Sequence, residues 1–304
     1  MTELSVRLTH TAERLRADRT PFVLATVVRA ERPTSAKAGD RALVMPDGTL
    51  KGFVGGTCAE STVRAQALRL LESGESTLLR ITPDPGAQEV EGMVSVTNPC
   101  LSGGTLEIFL EAVIPPVLVR VYGNGPVARA LADVGAAVGF DMSVIEDAGA
   151  PIAADTAAVV VASHGRSEVE VLTAALRAGV PYIGLIASRR RGAAVLEGIE
   201  DGPRVHTPAG LDIGARTAPE IALSVAAEIL SLRPRPAAPT IAGPSGPVSG
   251  RAIDPVCGME VAVTEATARL EHAGRTWYFC GPGCVQVFAD DPGRSSAETR
   301  RPLR

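Results

Sequence analysis

The sequence predicts an α/β protein in three parts, and three observations support this prediction. Strand-like and helix-like segments alternate between residues 117 and 199, as a parallel sheet requires. A glycine loop at residues 123–128 follows the first of these strands, in the position of a Rossmann phosphate loop. A segment containing Cys58 precedes this region, and three of the five cysteines follow it. We therefore expect an N-terminal mixed α/β domain, a Rossmann-like parallel-sheet domain and a small cysteine-containing module.

Composition excludes several classes of protein. Of the 304 residues, 45% are hydrophobic, which suffices for more than one core. A net charge of −4 gives no indication of nucleic-acid binding. We find no cleavable signal peptide and no apolar run of about 18 residues, so we expect a cytoplasmic protein without a transmembrane segment. The odd number of cysteines, five, favours thiol or metal chemistry over a disulfide framework.

Two breaks in composition divide the chain. Pro115 and Pro116 precede the first buried strand of the middle region. Residues 234–250 contain five prolines and three glycines, which is typical of a semi-extended linker. The predicted parts are an N-terminal domain at 1–114, a Rossmann-like domain at 115–233, a linker at 234–251, a small domain at 252–293 and a disordered tail at 294–304.

The N-terminal part begins with a strand over residues 22–28. A hairpin follows, and its turn is Pro46-Asp47-Gly48. Apolar residues at helical spacing then predict a helix that starts near Cys58 and ends at Gly74, which acts as a left-handed cap. The remaining predicted elements are the hairpin strands 42–45 and 50–54 and the later strands 76–81 and 105–111.

Cys58 lies in the segment Gly55-Gly56-Thr57-Cys58-Ala59-Glu60. Thr57 and Glu60 have the spacing of a capping box, which would make Cys58 the first residue of the helix. The positive end of the helix dipole favours the thiolate there, and the two glycines would leave the approach open to a bulky ligand. The alternative is a small buried cysteine that fills a turn.

Cys100 lies in a second glycine-containing loop, at residues 98–104. It could join Cys58 at one pocket, or it could be an ordinary loop cysteine.

The middle region predicts strands at 117–122, 142–146, 157–162 and 181–186, with helices at 126–138, 168–178 and 188–199. Gly123, Gly125 and Ala128 form the glycine loop between the first strand and first helix, where backbone N–H groups can receive a phosphate. Glu146 follows at the place of a ribose-binding carboxylate. The alternative is a Rossmann sheet with a degenerate pocket.

Two further groups lie at the ends of predicted strands. Ser188 precedes a helix that opens with Arg189, Arg190 and Arg191, and three cations at a helix N-terminus oppose the dipole. They predict a phosphate or pyrophosphate site, or else a solvated charge run. His164 follows a strand on the edge where α/β proteins bind ligands, so it is either a ligand contact or a polar loop residue.

Four segments together resemble the XdhC/CoxI family, in that family's order and over roughly residues 10–232. They are the Cys58 segment 55–60, the glycine loop 123–128, the segment 186–191 and the segment 210–222, which includes Asp212. The resemblance implies a maturation factor that binds molybdenum cofactor, supports its sulfuration and inserts it into an apo molybdenum hydroxylase of the xanthine or carbon monoxide dehydrogenase type. The Cys100 loop looks closer to the carbon monoxide dehydrogenase branch.

The resemblance also implies roles for individual residues. Cys58 and Cys100, with Glu60, would handle the cofactor or its sulfur. The cofactor is molybdopterin, including its cytosine dinucleotide form. The residues expected to bind it are Gly55, Gly56, Gly123, Gly125, Ala128, Glu146, His164, Ser188, Arg189, Arg190 and Asp212.

Residues 252–293 resemble a YHS domain, a treble-clef-like module. Cys257, Cys280 and Cys284 recur at a separation that lets three thiolates converge on zinc or copper(I). The fourth ligand stays open among His272, Met259, Asp254 or none. The alternative to metal binding is a set of free thiols that carries sulfur or contacts a partner.

We therefore predict an accessory protein, rather than a classical enzyme, that forms a homodimer. Its expected partners are the apo-hydroxylase and a sulfur donor such as a cysteine desulfurase. Two alternatives stay open: an NAD(P)-dependent oxidoreductase of the Rossmann type, and a metal-trafficking protein in which the YHS module has the leading role.

Overall fold

The computed structural model describes residues 3–84, 92–97, 104–232, 250–265 and 267–292. Contacts divide the chain into two compact units, one formed by Met1–Pro115 with Pro236–Arg304 and the other by Pro116–Arg235. The predicted linker and tail fall almost entirely on residues 234–249 and 293–304, which lie outside the described residues. The predicted domain boundaries stay predictions.

The N-terminal part of the first unit is a mixed sheet with two helices packed on it. Its strands follow the order β3-β2-β1-β6-β4-β5, with only β4 and β5 parallel. The elements are α1 (Glu3–Ala17), β1 (Phe22–Glu31), β2 (Arg41–Val44), β3 (Leu50–Gly52), α2 (Thr57–Ser73), β4 (Thr77–Thr82), β5 (Met93–Thr97) and β6 (Thr105–Val113).

Helix α2 buries one apolar face against this sheet. Ala59, Val63 and Ala67 join side chains of β1, β4 and β6 in a single core. The helix ends as predicted at Gly74, which adopts φ 74° and donates its N–H to the carbonyl of Leu70. This packing fixes the position of the first turn of α2, and therefore of Cys58.

The predicted hairpin and strands of this part are confirmed, whereas α1 and β5 were missed. At the hairpin turn, Gly48 has φ 78° and the Asp47 carboxylate accepts the N–H of Thr49 at 2.8 Å. Strand β5 escaped prediction because it is an edge strand with no fully buried residue.

The second unit is a five-stranded parallel sheet between two layers of helices. Its strand order, β11-β10-β9-β7-β8, corresponds to 2-1-3-4-5 in the unit's own numbering, the flavodoxin-like variant of doubly wound folds. The elements are β7 (Leu118–Tyr122), α3 (Pro126–Ala137), β8 (Asp141–Ile145), β9 (Thr156–Val161), α4 (Glu168–Arg177), β10 (Tyr182–Leu185), α5 (Arg189–Leu196), β11 (Val205–His206) and α6 (Ala218–Ser231).

Alternation along the central strands fills both faces of this sheet. Val119 and Val121 contribute to a core with α3 and α6, whereas Val159 and Val161 contribute to a core with α4 and α5. The predicted strands and helices of this unit are confirmed, whereas α6 and the short strand β11 were missed.

The YHS region belongs to the first unit. It consists of two small antiparallel ladders and one helix: β12 (Arg251–Ile253) with β13 (Glu260–Ala262), β14 (Ala268–His272) with β15 (Arg275–Phe279), and α7 (Pro282–Asp290). Phe288 on α7 is buried against Phe279 and Trp277. The predicted fold class is confirmed in its three parts. Among the described residues, none of the helices has the length and apolar character that crossing a membrane requires.

Candidate functional site

A cluster of thiols forms the core of the C-terminal module. The sulfur of Cys280 lies 3.7 Å from that of Cys257 and 3.5 Å from that of Cys284. Together with a carboxylate oxygen of Asp254, the three sulfurs all lie within 4.8 Å of one another. The sequence therefore predicted correctly that the three cysteines converge. Cys280 itself lies just after β15, and only Cys284 lies in α7.

Asp254 organises the loops that carry these thiols. Its carboxylate is completely buried and accepts three backbone N–H groups, from Val256 at 2.8 Å, Cys257 at 3.3 Å and Cys280 at 2.8 Å. One buried side chain thus joins the Cys257 loop to the end of β15. The sequence offered Asp254 only as a possible ligand, because hydrogen bonds across 26 residues leave no local pattern.

The pKa values of the three thiols shift in different directions. A hydrogen bond with Cys280 lowers the pKa of the Cys257 thiol, and the N–H of Met259 lowers it further. Hydrogen bonds with Cys257 and Cys58, together with burial, raise the pKa of Cys280. Burial, and then the negative charges of Cys257 and Asp254, raise the pKa of Cys284 to about 12. A soft cation would supply the positive charge that this donor set lacks, so the residues fit a zinc or copper(I) ion.

Cys58 reaches this same cluster from the N-terminal part. It is half-buried and packs against Met259, Val261 and Cys280. Its proximity also contributes to the raised pKa of Cys280. The sequence placed Cys58 at a helix start but gave no sign of this contact, because 222 residues separate the two cysteines.

The predicted capping box at the start of α2 is wrong. The helix begins at Thr57, with Gly56 in the N-cap position and no side-chain cap, so Cys58 is the second helical residue. Gly55 has φ 135°, and a Cβ there would lie 3.1 Å from the Cβ of Ala59. This turn brings Thr57 into the first helical turn, where its hydroxyl cannot act as the cap. Glu60 is half-buried in the same turn, and Cys100 lies outside the described residues.

In the second unit, the predicted ligand residues follow the carboxyl ends of the strands. Gly123 and Gly125 follow β7, Glu146 follows β8 and His164 follows β9. Parallel strands end at a common edge, so these residues lie along one rim of the sheet. The other predicted residues on this rim are Ser188, Arg189 and Arg190 after β10, and Asp212 after β11. Ala128, by contrast, is buried within α3.

The crevice between β7 and β9 is where the strand order reverses. Gly123 has φ 126°, and a Cβ there would collide with the carbonyl oxygen of Ala162. A Cβ on Gly125 would lie 2.9 Å from Nε2 of His164. The β7 loop and the β9 loop are therefore in contact, and Asn124 accepts a hydrogen bond from Arg166 at 3.0 Å. This is the position at which doubly wound proteins bind ligands.

Of the three arginines, only Arg191 has an internal partner among the described residues. Its guanidinium donates to both carboxylate oxygens of Glu168, which is buried, and Glu168 also accepts the N–H of Gly165 at 2.8 Å. Arg189 and Arg190 are exposed, and no described carboxylate forms an ion pair with them. The sequence suggested that a bound phosphate balances the positive charge of all three arginines. In the structure, the carboxylate of Glu168 balances the charge of Arg191.

A half-buried glutamate that the sequence did not single out positions the loop containing Asp212. Glu228 on α6 accepts from the Tyr182 hydroxyl at 2.6 Å and from the Gly210 N–H at 2.7 Å, and it lies 3.0 Å from Nδ1 of His206. Burial and the bond to Glu228 raise the pKa of Tyr182. Asp212 itself is exposed.

Three family models match the chain. The XdhC and CoxI family matches residues 15–82, the XdhC Rossmann domain matches residues 119–229, and the YHS domain matches residues 252–294. The chain therefore belongs to the XdhC and CoxI family and carries a YHS domain, which confirms both resemblances.

Three curated proteins are similar to the chain. The uncharacterized protein YqeB of Escherichia coli K12 is 28% identical over 296 residues, covering 86% of the chain and 53% of YqeB. The molybdenum cofactor insertion chaperone PaoD of the same strain is 25% identical over 264 residues, 69% of the chain and 83% of PaoD. A probable xanthine dehydrogenase subunit of Bacillus subtilis 168 is 26% identical over 205 residues, 59% of the chain and 62% of that protein. The chain thus spans about half the length of YqeB.

Proposed function

We propose that the chain is a maturation factor that binds molybdenum cofactor and inserts it into an apo molybdenum hydroxylase. The observation that carries this proposal is its similarity to the insertion chaperone PaoD, which extends over 83% of PaoD. The family matches to the Cys58 region and to the Rossmann unit support it. Xanthine dehydrogenase and carbon monoxide dehydrogenase are the client types that we propose.

The rim at the carboxyl ends of the strands in the second unit, here called the carboxyl rim, fits the anionic part of such a cofactor. The backbone at Gly123 and Gly125 is free of Cβ atoms, and Gly125 is the N-cap of α3, which has no side-chain cap. Its first N–H groups can therefore bind a phosphate. Arg189 and Arg190, exposed and without a described ion pair, would supply positive charge on the same rim. We assign Glu146, His164, Ser188 and Asp212 to contacts with the rest of the ligand.

In this proposal, the N-terminal part handles sulfur. Cys58 would face the molybdenum or an incoming sulfur, with Gly55 and Gly56 leaving the approach open to a bulky ligand and Glu60 in the same turn. Cys100 would assist. The proposal includes sulfuration of the cofactor with sulfur from a cysteine desulfurase, and it extends to the cytosine dinucleotide form, to a homodimer and to a cytoplasmic location.

Retention of the pterin by the full chain tests this function. Purified protein is incubated with molybdenum cofactor, separated from unbound material and oxidised, and the fluorescent pterin is counted per chain. We expect nearly one pterin per chain, less in Cys58→Ala, and less in the double variant Arg189→Glu/Arg190→Glu.

Arg177→Glu provides the matched control for the charge reversal. Arg177 lies in the last turn of α4, at the opposite edge of the sheet from the rim. Equal loss in this control would assign the effect to overall charge rather than to the rim. Absence of any retained pterin, with bound nicotinamide instead, would replace the proposal by the NAD(P)-dependent alternative.

The thiol cluster favours a second role, the binding of a soft metal ion by the YHS domain. Three converging sulfurs, with a buried carboxylate beside them, fit zinc or copper(I), because both ions prefer thiolate ligands. Zinc or copper content measured per chain after loading and desalting, with Cys284→Ser as the deficient variant, tests this role. A metal content that does not depend on Cys284 would refute it.

A further inference from the structure

We propose that Cys58 supplies the fourth sulfur to this soft-metal site, so that the N-terminal part and the YHS domain hold one ion between them. The site would then be a four-thiolate centre of Cys58, Cys257, Cys280 and Cys284. This centre would bind a thiophilic ion such as zinc or copper(I).

The first support is the position of the Cys58 thiol. It packs against the cluster that contains the three YHS cysteines, including Cys280, the central member. Cys280 lies within 3.7 Å of both Cys257 and Cys284. Small side-chain rotations can turn such a group of hydrogen-bonded thiols into a tetrahedron of thiolates around one ion.

The other candidates for the fourth position are less suitable. Both carboxylate oxygens of Asp254 already accept backbone N–H groups, which points to an organising role. His272 is exposed at the far end of β14 and contacts the ring of Phe288. Met259 offers a neutral thioether, a weaker ligand than a thiolate for zinc.

Specific contacts hold the YHS domain against the start of α2. Arg69 on α2 forms an ion pair with Glu260 on β13. Gly281 sits so close to Thr57 that a Cβ on it would lie 3.0 Å from the Thr57 side chain. At the hairpin, a Cβ on Gly48 would lie 2.5 Å from Cγ2 of Thr264. Three separated contacts therefore fix the distance between Cys58 and the cluster.

The first turn of α2 is held in place by a side-chain hydrogen bond. The Thr62 hydroxyl donates to the Cys58 carbonyl at 3.0 Å, which limits how far Cys58 can move. Metal binding would release the proton of each thiol that becomes a ligand, so no oxidant or reductant is needed.

Counting the sulfur ligands of zinc in the full chain tests the inference. Metal-free, reduced protein is loaded with one equivalent of zinc and studied by X-ray absorption at the zinc edge. We expect about four sulfurs at about 2.3 Å in the unmodified chain and about three sulfurs with one oxygen or nitrogen in Cys58→Ser. Zinc affinity, measured by competition with a chromophoric chelator, should fall by at least about tenfold in that variant.

Two further variants make the result decisive. Cys58→His places an imidazole at the same point, so it should recover most of the affinity while the sulfur count stays at three. Cys284→Ser should lower the sulfur count by one as well. The proposal is overturned if Cys58→Ser keeps both the affinity and the sulfur count of the unmodified chain while Cys284→Ser loses them. The inference rests on the soft-metal role proposed for the YHS domain, which fails by itself if the unmodified chain retains no zinc. The assay contains no pterin, so it does not test cofactor retention; a Cys58 thiolate that binds zinc would have to leave the ion before it could face molybdenum or sulfur.

Discussion

The carboxyl rim of the second unit and the thiol cluster of the first are built in opposite ways. On the rim, most candidate residues lie in the loops that follow strands of the same sheet, so local sequence patterns locate them. In the cluster, Cys58 meets Cys280 across 222 residues and between two parts of the chain that no local pattern connects. The rim depends on backbone geometry at a few glycines, whereas the cluster depends on the docking of one small domain. Variants can therefore separate the two regions.

The largest effect is expected for Gly123→Ala on the rim. The new Cβ would collide with the carbonyl of Ala162, and alanine is strained at φ 126°. We expect the free energy of unfolding of the second unit to fall by about 3 kcal/mol. Chemical denaturation followed by circular dichroism measures this loss.

Gly139→Ala is the matched control for that variant. Gly139 also has a positive φ, 80°, but a Cβ there meets nothing within 4 Å. Its cost should be about 1 kcal/mol, from backbone strain alone. Equal losses in the two variants would mean that the close approach of the β7 and β9 loops does not matter.

In the cluster, we expect the next largest effect from Asp254→Asn. The amide keeps the volume, but its NH₂ group faces N–H donors that the carboxylate accepted, at a cost of about 2 kcal/mol. Trp277 is the only tryptophan of the chain and lies in the YHS domain, so its fluorescence reports on this loss during denaturation.

Asp290→Asn makes the same chemical change on α7, where the carboxylate is exposed and, among the residues that the structure describes, accepts only from Gln286. It should leave the tryptophan-detected transition nearly unchanged. If both variants behave alike, the buried carboxylate does not organise the cluster.

The rim and the thiol cluster also differ in how much of each the sequence could predict. Repeated local signals, such as alternation in β7 and β9 or Gly123 after a strand, predicted the parallel sheet and its ligand rim. The convergence of Cys257, Cys280 and Cys284 followed from the family resemblance. The partners of Glu228, Glu168 and Asp254 could not be predicted, because each carboxylate bonds to groups that only the folded chain brings near. The capping box failed because two glycines shift the helix start by one residue.

A smaller effect is expected from charge reversal at the docking contact. Arg69→Glu and Glu260→Arg each replace an ion pair by like charges, and both side chains are about one-third exposed, so each change should cost no more than about 1 kcal/mol. The clearer measurement is the alkylation rate of Cys58, read by peptide mass, which should rise in each single variant.

The combined variant Arg69→Glu/Glu260→Arg restores opposite charges at this pair but places a cation beside Arg251, whose Nε lies 3.7 Å from the Glu260 carboxylate. It should bring the alkylation rate part of the way back toward that of the unmodified chain. A rate that rises further in the double variant would show that this pair does not hold the YHS domain on α2.

The smallest effect concerns α6 in the second unit. There Thr217 and Glu220 form a complete capping box, and the N–H groups of Arg216 and Thr217 lower the pKa of Glu220. Because the folded value lies below the unfolded one, this stabilisation is present above the ordinary glutamate pKa and is lost as pH falls through the folded value.

Thermal unfolding between about pH 6 and pH 3 measures this loss. The unmodified chain should be more stable than Glu220→Gln at the upper end, and the difference should shrink toward the lower end. Glu200→Gln, at an exposed loop position, should show no such trend. A difference that grows on acidification would contradict the direction of the pKa shift.

The contact between Cys58 and the YHS domain also has a kinetic consequence. Both partners belong to one chain and one compact unit, so their separation is a first-order event. Its rate does not depend on protein concentration. A reagent that needs an uncovered Cys58 should therefore react at a rate that rises with its own concentration and then reaches a plateau, and that plateau is the opening rate of the domain.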